Sequence, residues 1–149
     1  MNLKLILVKK QVAFLFAALI MISFSFAQHN KHADDNKKKP TIHYGTASYY
    51  ANKFEGRKTA NGEIFSQKKM TAACNIISLN TWVKVTNMHN KKTAVVRITD
   101  RMHHSNKRLI DMSHSAAKQL GYTGRGVARV KVEVLGKKLP AAYSVGGTE

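Results

Sequence analysis

The sequence predicts a mainly β fold, a small closed β-barrel of six short strands with one or two short helices. Short runs of β-branched and aromatic residues, separated by Gly, Asn and Asp, fill residues 42–136. Two of these runs, Trp82–Thr86 and Val130–Val134, alternate apolar and polar residues, as strands with one buried face do. Only one stretch is clearly helical, and closing short strands into a barrel removes exposed sheet edges.

The elements follow one another in a regular order. Ser113 is a candidate N-cap, the residues from Ser115 to Leu120 are good helix formers, and Gly121 suits the C-terminal stop. Ile76–Leu79 is a candidate for a second, shorter helix. The predicted strands are His43–Tyr49, Lys69–Ala73, Trp82–Asn87, Thr93–Thr99, Leu109–Asp111 and Val127–Leu135.

Residues 1–27 have the features of a secretory signal peptide. A basic segment precedes the apolar run Val12–Phe26, which ends at the small-x-small site Ser25-Phe26-Ala27. The run is shorter than the ~20 residues that a spanning helix needs. No cysteine lies near this site to carry a lipid. We therefore expect an exported protein of the periplasm or cell envelope, with no lipid anchor and no integral membrane segment after signal cleavage.

The rest of the chain has the length of a single domain. Residues 28–41 form a predicted basic polar linker, because a charge run with almost no apolar side chains cannot bury a core. Residues 42–136 form the predicted barrel domain. Residues 137–149, with paired lysines, a proline and two glycines, form a predicted flexible tail.

The chain is strongly basic, with 25 Lys and Arg against 8 Asp and Glu. This balance predicts attraction to a polyanion. The candidates are a nucleic acid, an acidic membrane surface and an anionic cell-wall polymer. Export argues against nucleic acid as a partner. The plain alternative is that part of the charge serves solubility alone.

Because carboxylates are scarce, two of them are the best candidates for chemistry. Glu63 ends the turn-rich segment Thr59–Glu63, and Asp100 follows the apolar strand Val95–Thr99. Cleavage of a glycosidic bond needs one group that protonates the leaving oxygen and a carboxylate that stabilises the positive charge on the sugar. The alternatives are a structural Asp100 paired with Arg97 or Arg101, and a Glu63 that only completes a turn.

Cys74 is the only cysteine, so no internal disulfide can form. It follows the small, uncharged residues Thr71–Ala73, which predicts that the thiol is buried. A catalytic Cys/His pair is the alternative, but no local pattern marks one.

Several long motifs follow one another in a fixed order along the predicted domain. They are Gly45–Tyr50, Phe54–Glu63, Met70–Ala73, Val83–Asn87, Val95–Arg101 and Leu109–Ser113, followed by Ala116-Ala117 and Leu120-Gly121. In order and spacing these motifs resemble the rare lipoprotein A family, and the resemblance runs from Gly45 to Leu135, essentially the whole predicted domain.

The resemblance implies a six-stranded double-psi β-barrel, related to expansin barrels, in a bacterial envelope protein that acts on peptidoglycan. Members known as enzymes are lytic transglycosylases. They cut the β-1,4 bond between N-acetylmuramic acid and N-acetylglucosamine without water and leave a 1,6-anhydro end. The expected function is therefore this reaction, and the alternative is a noncatalytic, expansin-like glycan-binding module.

By the same resemblance, the acidic positions of the family fall on Asp100, as general acid and then base, and on Glu63, which stabilises charge or orients the sugar. The expected partner is the glycan strand, other cell-wall or division proteins are further candidates, and a monomer is expected. No cofactor and no metal is predicted. The candidate substrate-binding residues are Tyr49, Tyr50, Thr59, Asn61, Thr71, Cys74 and Arg101.

Two departures from the family pattern bear on this site. Cys74 stands where many members have a histidine, and a thiol is a weak donor without positive charge. Met102-His103-His104 replaces the usual Gly-Pro after Asp100-Arg101. Either histidine could reach the groove and replace the lost group, or both could be solvated loop residues. A metal site of Cys74 with these histidines lacks any spacing motif.

Overall fold

The structure, a computed structural model, describes residues 40–144. The predicted signal peptide (1–27), residues 28–39 of the predicted linker and residues 145–149 of the predicted tail lie outside the described residues. Between residues 40 and 144, no helix is long and apolar enough to cross a membrane.

The described part is mainly β, as predicted. The predicted strands all form, with bounds shifted by at most two residues. The strands are β1 (Ile42–Tyr49), β2 (Thr71–Ala73), β3 (Trp82–Asn87), β4 (Thr93–Asp100), β5 (Ile110–Met112) and β6 (Ala128–Gly136), the helices are α1 (His114–Leu120) and α2 (Ala141–Ser144), and a single 3-10 turn covers Asn52–Phe54.

The six strands close into a barrel in the order β1-β5-β2-β4-β3-β6. β1 runs parallel to β5 and β2 runs parallel to β4, whereas the other pairs are antiparallel. The first and last strands close the circle, with Ile42 opposite Glu133 and Ala47 opposite Ala128. The predicted closed barrel of six strands is confirmed.

The centre of the barrel is packed with side chains from alternate positions of its strands. Val83 and Val85 of β3 and Val130 and Val132 of β6 are at most 1% exposed. Burying a side chain of this kind contributes roughly 1.5–3 kcal/mol relative to leaving it in water. Cys74 belongs to the same core and is fully buried, as predicted.

α1 begins and ends where the sequence indicates. The Ser113 side chain accepts a hydrogen bond from the Ala116 amide, and Gly121 adopts the left-handed conformation, with φ of 71°. Ala116, Ala117 and Leu120 are buried, so one face of this short helix packs against the outside of the barrel.

The candidate helix at Ile76–Leu79 does not form, and this segment contains bends and a turn. The Asn80 amide donates to the Ile98 carbonyl at 2.7 Å, and the Ile77 carbonyl accepts from the Arg101 guanidinium at 2.9 Å. These backbone groups are therefore engaged by β4 and the residue after it. Asn80, with φ of 59°, ends the segment.

Candidate active site

Asp100 is the last residue of β4 and lies at one end of the barrel. Val96 and Ile98 occupy alternate positions before it and are fully buried, whereas Asp100 is half-buried. The register between β4 and β2 shifts between Ala72 and Ala73, so that Ala73 lies opposite Asp100. Irregularities of this kind redirect side chains and recur beside active sites.

The Asp100 carboxylate is held by three donors. Its Oδ2 accepts from the Tyr50 hydroxyl at 2.8 Å. Its Oδ1 accepts from the backbone amides of Ala60 at 2.9 Å and Arg101 at 2.8 Å. These three hydrogen bonds fix the position of the carboxyl group.

A small pocket of about 210 Å³ opens over this carboxylate. Its walls combine aromatic rings with cations, since the Tyr50 ring lies 4.4 Å from Phe65 and 5.5 Å from Phe54 between centroids. The Arg57 guanidinium lies 5.3 Å from the centroid of the Phe54 ring. The lining residues are Tyr50, Phe54, Arg57, Lys58, Thr59, Phe65 and Asp100.

The Tyr50 hydroxyl is a fixed hydrogen-bond donor in this pocket. Burial raises the pKa of Tyr50 far above its usual range, and the hydrogen bond to Asp100, with the charges of Asp100 and Asp111, raises it further. The hydroxyl therefore keeps its proton at any physiological pH and can orient Asp100, but it cannot act as a base.

Asn61 organises the loop that carries Glu63. Its side-chain oxygen accepts from the Thr59 hydroxyl at 2.7 Å and from the Glu63 amide at 3.1 Å. Its side-chain nitrogen donates to Asn80 at 2.8 Å and to Glu63 Oε1 at 3.1 Å. The Asn61 amide also donates to the Thr99 carbonyl at 3.0 Å. These bonds fasten the loop to the end of β4, next to Asp100.

Glu63 pairs with Arg97 rather than lining the pocket over Asp100. Glu63 Oε2 lies 2.7 Å from Arg97 Nη2, and the two side chains are 36% and 31% exposed. The Arg97 guanidinium also lies 5.9 Å from the centroid of the Trp82 ring. Thus one carboxylate of the predicted pair has a basic partner.

No basic side chain within residues 40–144 forms an ion pair with Asp100. Arg101 instead donates from its guanidinium to the carbonyls of Cys74 and Ile77. The Cys74 amide in turn donates to the Asp100 carbonyl at 3.2 Å. Cys74 is therefore adjacent to Asp100 through the backbone, with its thiol in the core.

Two other candidate binding residues lie away from this pocket. The Tyr49 hydroxyl donates to the Thr123 carbonyl at 3.1 Å, and its ring contacts His114 and Tyr122. Thr71 is 7% exposed and is held in β2. The structure thus gathers Tyr50 and Thr59 around Asp100, with Asn61 behind them, and leaves Tyr49 and Thr71 elsewhere.

The histidines after Asp100 are exposed and do not line its pocket. The rings of His103 and His104 contact each other at 4.2 Å between centroids, and His103 Nδ1 lies 2.7 Å from the Ser105 hydroxyl. His104 lines a separate cavity of about 390 Å³ with Tyr44 and Asn75. In the part of the chain that the structure describes, no group of three or more His, Cys, Asp or Glu could hold a metal.

The sequence did not reveal two contributors to the site, Phe65 and the Ala60 amide. Phe65 is 4% exposed, whereas its neighbour Ile64 is 55% exposed. Both residues are apolar, so the sequence does not tell which one turns inward; the pairing of Lys58 with Ile64 and the backbone bonds of Phe65 to Gly56 and Arg57 set it. A backbone amide such as that of Ala60 leaves no signal in a sequence.

Comparison with known proteins shows the family to which this chain belongs. A family profile described as "Lytic transglycolase" matches residues 42–132. The endolytic peptidoglycan transglycosylase RlpA of Haemophilus influenzae is 48% identical over 100 residues, which cover 67% of this chain and 35% of that protein. The protein of the same name from Pseudomonas aeruginosa is 51% identical over 89 residues, covering 60% and 26%. The chain thus spans about a third or less of these relatives.

Two solved structures share the fold at low sequence identity. The Streptomyces papain inhibitor superposes with a TM-score of 0.51 and 20% identity, over 63% of this chain and 94% of the inhibitor. The expansin of Clavibacter michiganensis superposes with a TM-score of 0.54 and 19% identity, over 67% and 53%. These two likenesses concern the fold alone, because one barrel supports unrelated functions.

Proposed function

This chain belongs to the lytic transglycolase family of double-psi β-barrels, and from that premise we propose that it cleaves peptidoglycan as a lytic transglycosylase. The substrate is the β-1,4 bond between N-acetylmuramic acid and N-acetylglucosamine, and the product is a 1,6-anhydro end. Relatives bearing the peptidoglycan transglycosylase name support this assignment at 41–51% identity. A substrate in the cell wall requires export, which agrees with the signal peptide predicted for residues 1–27.

In the proposed reaction Asp100 serves twice. As a carboxylic acid it protonates the glycosidic oxygen while the bond to C1 of the muramic acid breaks. Its carboxylate then removes the proton from the C6 hydroxyl of the same sugar as that oxygen attacks C1. The proton given in the first step is recovered in the second, so the cycle consumes no water.

The observation that carries the proposal is the open pocket over the Asp100 carboxylate, a group with no basic partner among the described residues. Tyr50 and the Ala60 amide hold the carboxylate in position. Aromatic faces suit a sugar ring, and the cations Arg57 and Lys58 suit the lactyl carboxylate or acetamido oxygen of muramic acid.

Glu63 acts in this proposal as a helper. Its carboxylate stabilises the positive charge that develops on the sugar, or orients the sugar, from the loop that Asn61 fastens beside Asp100. Its pairing with Arg97 offsets part of its charge, so we assign the proton transfers to Asp100 alone.

A noncatalytic glycan-binding module is the second candidate, because of Cys74. Its thiol is fully buried where many members of the resembled family carry a histidine, and it supplies no strong donor to the pocket. A barrel of this kind would hold a glycan strand over Tyr50 and Phe54 without cutting it.

Digestion of purified sacculi tests the two candidates. The protein is incubated with intact sacculi and with amidase-treated sacculi that lack stem peptides, and soluble products are analysed by mass. We expect anhydro-muropeptides or anhydro-glycans from the native protein and none from Asp100→Asn. The asparagine has the same shape and keeps an oxygen for the amide donors, so folding should be preserved.

Glu133→Gln is the matched control, because Glu133 is a carboxylate on β6 that pairs with Lys131 and does not line the pocket. It should release products at the native rate. Sedimentation of the native protein with sacculi, without any anhydro product, would support the binding module and overturn the catalytic proposal. Products with a hydrated reducing end would indicate hydrolysis instead.

A further inference from the structure

A second, larger groove shares no lining residue with the Asp100 pocket. It has a volume of about 790 Å³ and lies between the turn that follows β3 and the connection from α1 to β6. Thr46 of β1 and Arg129 of β6, which are paired across the two strands, line it together with His89 and Arg125.

The charge of this groove is unbalanced. Arg125 and Arg129 are exposed, and neither guanidinium donates a hydrogen bond or forms an ion pair within residues 40–144. All acidic side chains of the described residues lie elsewhere: Glu55 accepts from the Gln67 amide, Glu63 pairs with Arg97, Asp100 lies in the first pocket, Asp111 accepts from Ser48, and Glu133 pairs with Lys131. Two unpaired guanidinium groups without a carboxylate favour an anionic ligand.

The walls of the groove are fixed in advance. The side chains of Asn87 and Asn90 each donate to the Leu120 carbonyl at 3.0 Å, which joins the turn after β3 to the end of α1. On the other wall the amides of Arg125 and Gly126 donate to the Tyr122 carbonyl at 3.0 Å. A site built in this way loses little conformational entropy when it binds a ligand.

The groove and the Asp100 pocket lie at opposite ends of β4. Thr93 begins this strand and pairs with Thr86 beside the groove, whereas Asp100 ends it. The two linings come closest along the first strand, where Thr46 of the groove lies four residues before Tyr50 of the pocket, roughly 13 Å at about 3.3 Å per residue. A ligand in the groove therefore lies outside the Asp100 pocket but near it.

We propose that this groove binds the carboxylates of a peptidoglycan stem peptide, with Arg125 and Arg129 as its anchors. The inference rests on the proposed function for the identity of the polymer. Guanidinium groups bind carboxylates through two parallel hydrogen bonds, and a stem peptide carries several carboxylates, whereas the uncharged hydroxyls of a glycan do not need such partners.

Titration of the purified protein with a synthetic stem tetrapeptide, followed by amide chemical shifts, tests the proposal. We expect shifts at Thr46, His89 and Gly124, which line the groove, and no shift at Ala60 or Arg101 beside Asp100. The Arg125→Gln/Arg129→Gln double variant should bind at least roughly tenfold more weakly, as for the loss of one charge-assisted contact. A tetrapeptide with amidated carboxylates should bind as weakly to the native protein.

Lys68→Gln/Lys69→Gln is the matched control, because it removes the same charge from exposed residues that do not line the groove. It should bind the tetrapeptide as the native protein does. Equal loss in both double variants, shifts confined to the Asp100 pocket, or tighter binding of a soluble glycerol phosphate polymer than of the tetrapeptide would each overturn the proposal.

Both double variants are then sedimented with intact and amidase-treated sacculi. The native protein and the lysine variant should prefer intact sacculi, and the arginine variant should lose that preference while releasing anhydro products from amidase-treated sacculi at the native rate. Peptide binding in the groove by a protein that releases no products would leave this inference standing and sink only the catalytic proposal.

Discussion

The hydroxyl of Tyr50 lies 2.8 Å from Oδ2 of Asp100, which joins the residue after the first strand to the last residue of the fourth. The two residues are 50 positions apart in sequence. The candidate site is therefore complete only when the barrel is closed. Tyr50 supplies a ring to the packing, and Asp100 supplies the carboxylate. Substitutions at the two residues therefore test folding and chemistry separately.

Tyr50→Phe tests the orienting role of this hydroxyl. The variant keeps the ring contacts with Phe54 and Phe65 and removes only the donor to Asp100. We expect the release of anhydro products to fall by about tenfold or more, because the carboxylate is less well oriented for proton transfer. The free energy of unfolding should fall by only about 1 kcal/mol. Product release and thermal unfolding measure the two effects.

Tyr122→Phe is the control for this change, since the Tyr122 hydroxyl donates to the Ser48 carbonyl away from the pocket. This variant should lose a similar stability and keep native activity. Equal activity losses in both variants would mean that the effect of Tyr50 is structural only.

Arg101→Lys should loosen the segment between Cys74 and Asn80. The Arg101 guanidinium bridges the carbonyls of Cys74 and Ile77, and a lysine ammonium lacks the planar fork that reaches both. Loss of one such bond should raise amide exchange in residues 74–80 by about tenfold. Hydrogen exchange measured by mass spectrometry reports the exchange rates of these amides.

The strands β3 and β6 should keep native exchange in the Arg101→Lys variant. Arg125→Lys is the control, because Arg125 is exposed, lines the second groove with His89, and donates no hydrogen bond to this segment. Uniform acceleration across the barrel would show that Arg101 supports global stability instead.

Much of the fold was predictable because its local signals agree with one another. Alternation in β3 and β6 and the caps of α1 at Ser113 and Gly121 placed these elements to within a residue or two. The candidate helix at Ile76–Leu79 failed for a tertiary reason, since Ile98 and Arg101 engage its backbone groups. Local propensity carries no information about such contacts.

The site was less predictable than the fold because it depends on which way adjacent side chains point. Tyr49 and Tyr50 are equivalent in sequence, yet one contacts Tyr122 and the other Asp100. The same applies to Arg97, a candidate partner of Asp100 that pairs with Glu63. Residues one apart on a strand face opposite sides, and only the barrel decides which side holds the pocket.

Glu63→Gln and Arg97→Gln, alone and together, measure how the pair divides between stability and function. An ion pair with both partners about one-third exposed should couple by about 0–1 kcal/mol in a double-mutant cycle on the free energy of unfolding. Product release should fall clearly more in Glu63→Gln than in Arg97→Gln, because only the carboxylate stabilises positive charge on the sugar. Equal losses in the two single variants would remove the helper role of Glu63.

Cys74→His restores the side chain of the resembled family at a fully buried position. Forcing a larger ring into the packed core should lower the free energy of unfolding by about 1–3 kcal/mol. We expect product release to rise because residue 74 follows the residue paired with Asp100, and an imidazole, which is longer than the thiol, can extend a donor toward that carboxyl group. Cys74→Ser is the control, with similar size and no ring. A folded histidine variant with native activity would show that the histidine is not what this barrel lacks.

Gly45→Ala should destabilise the barrel through one close approach. A Cβ at residue 45 would lie 2.6 Å from the Leu109 Cβ, which cannot move without its backbone. We expect a loss of about 1–3 kcal/mol in the free energy of unfolding, measured by chemical denaturation. Gly124→Ala is the control, because a Cβ there meets nothing within 4 Å. An unchanged free energy of unfolding in Gly45→Ala would mean that β1 and β5 can move apart at little cost.

The pairing of the first strand with the last sets where the chain enters and leaves the barrel. Ile42 lies opposite Glu133, and the Val134 amide donates to the Thr41 carbonyl, so entry and exit share one edge. The barrel is therefore suited to circular permutation: a short linker can join residue 136 to residue 42, and new ends can open in the exposed turn at residues 103–105. Because the chain enters and leaves the barrel at one edge, the barrel is equally suited to insertion into a single loop of another protein.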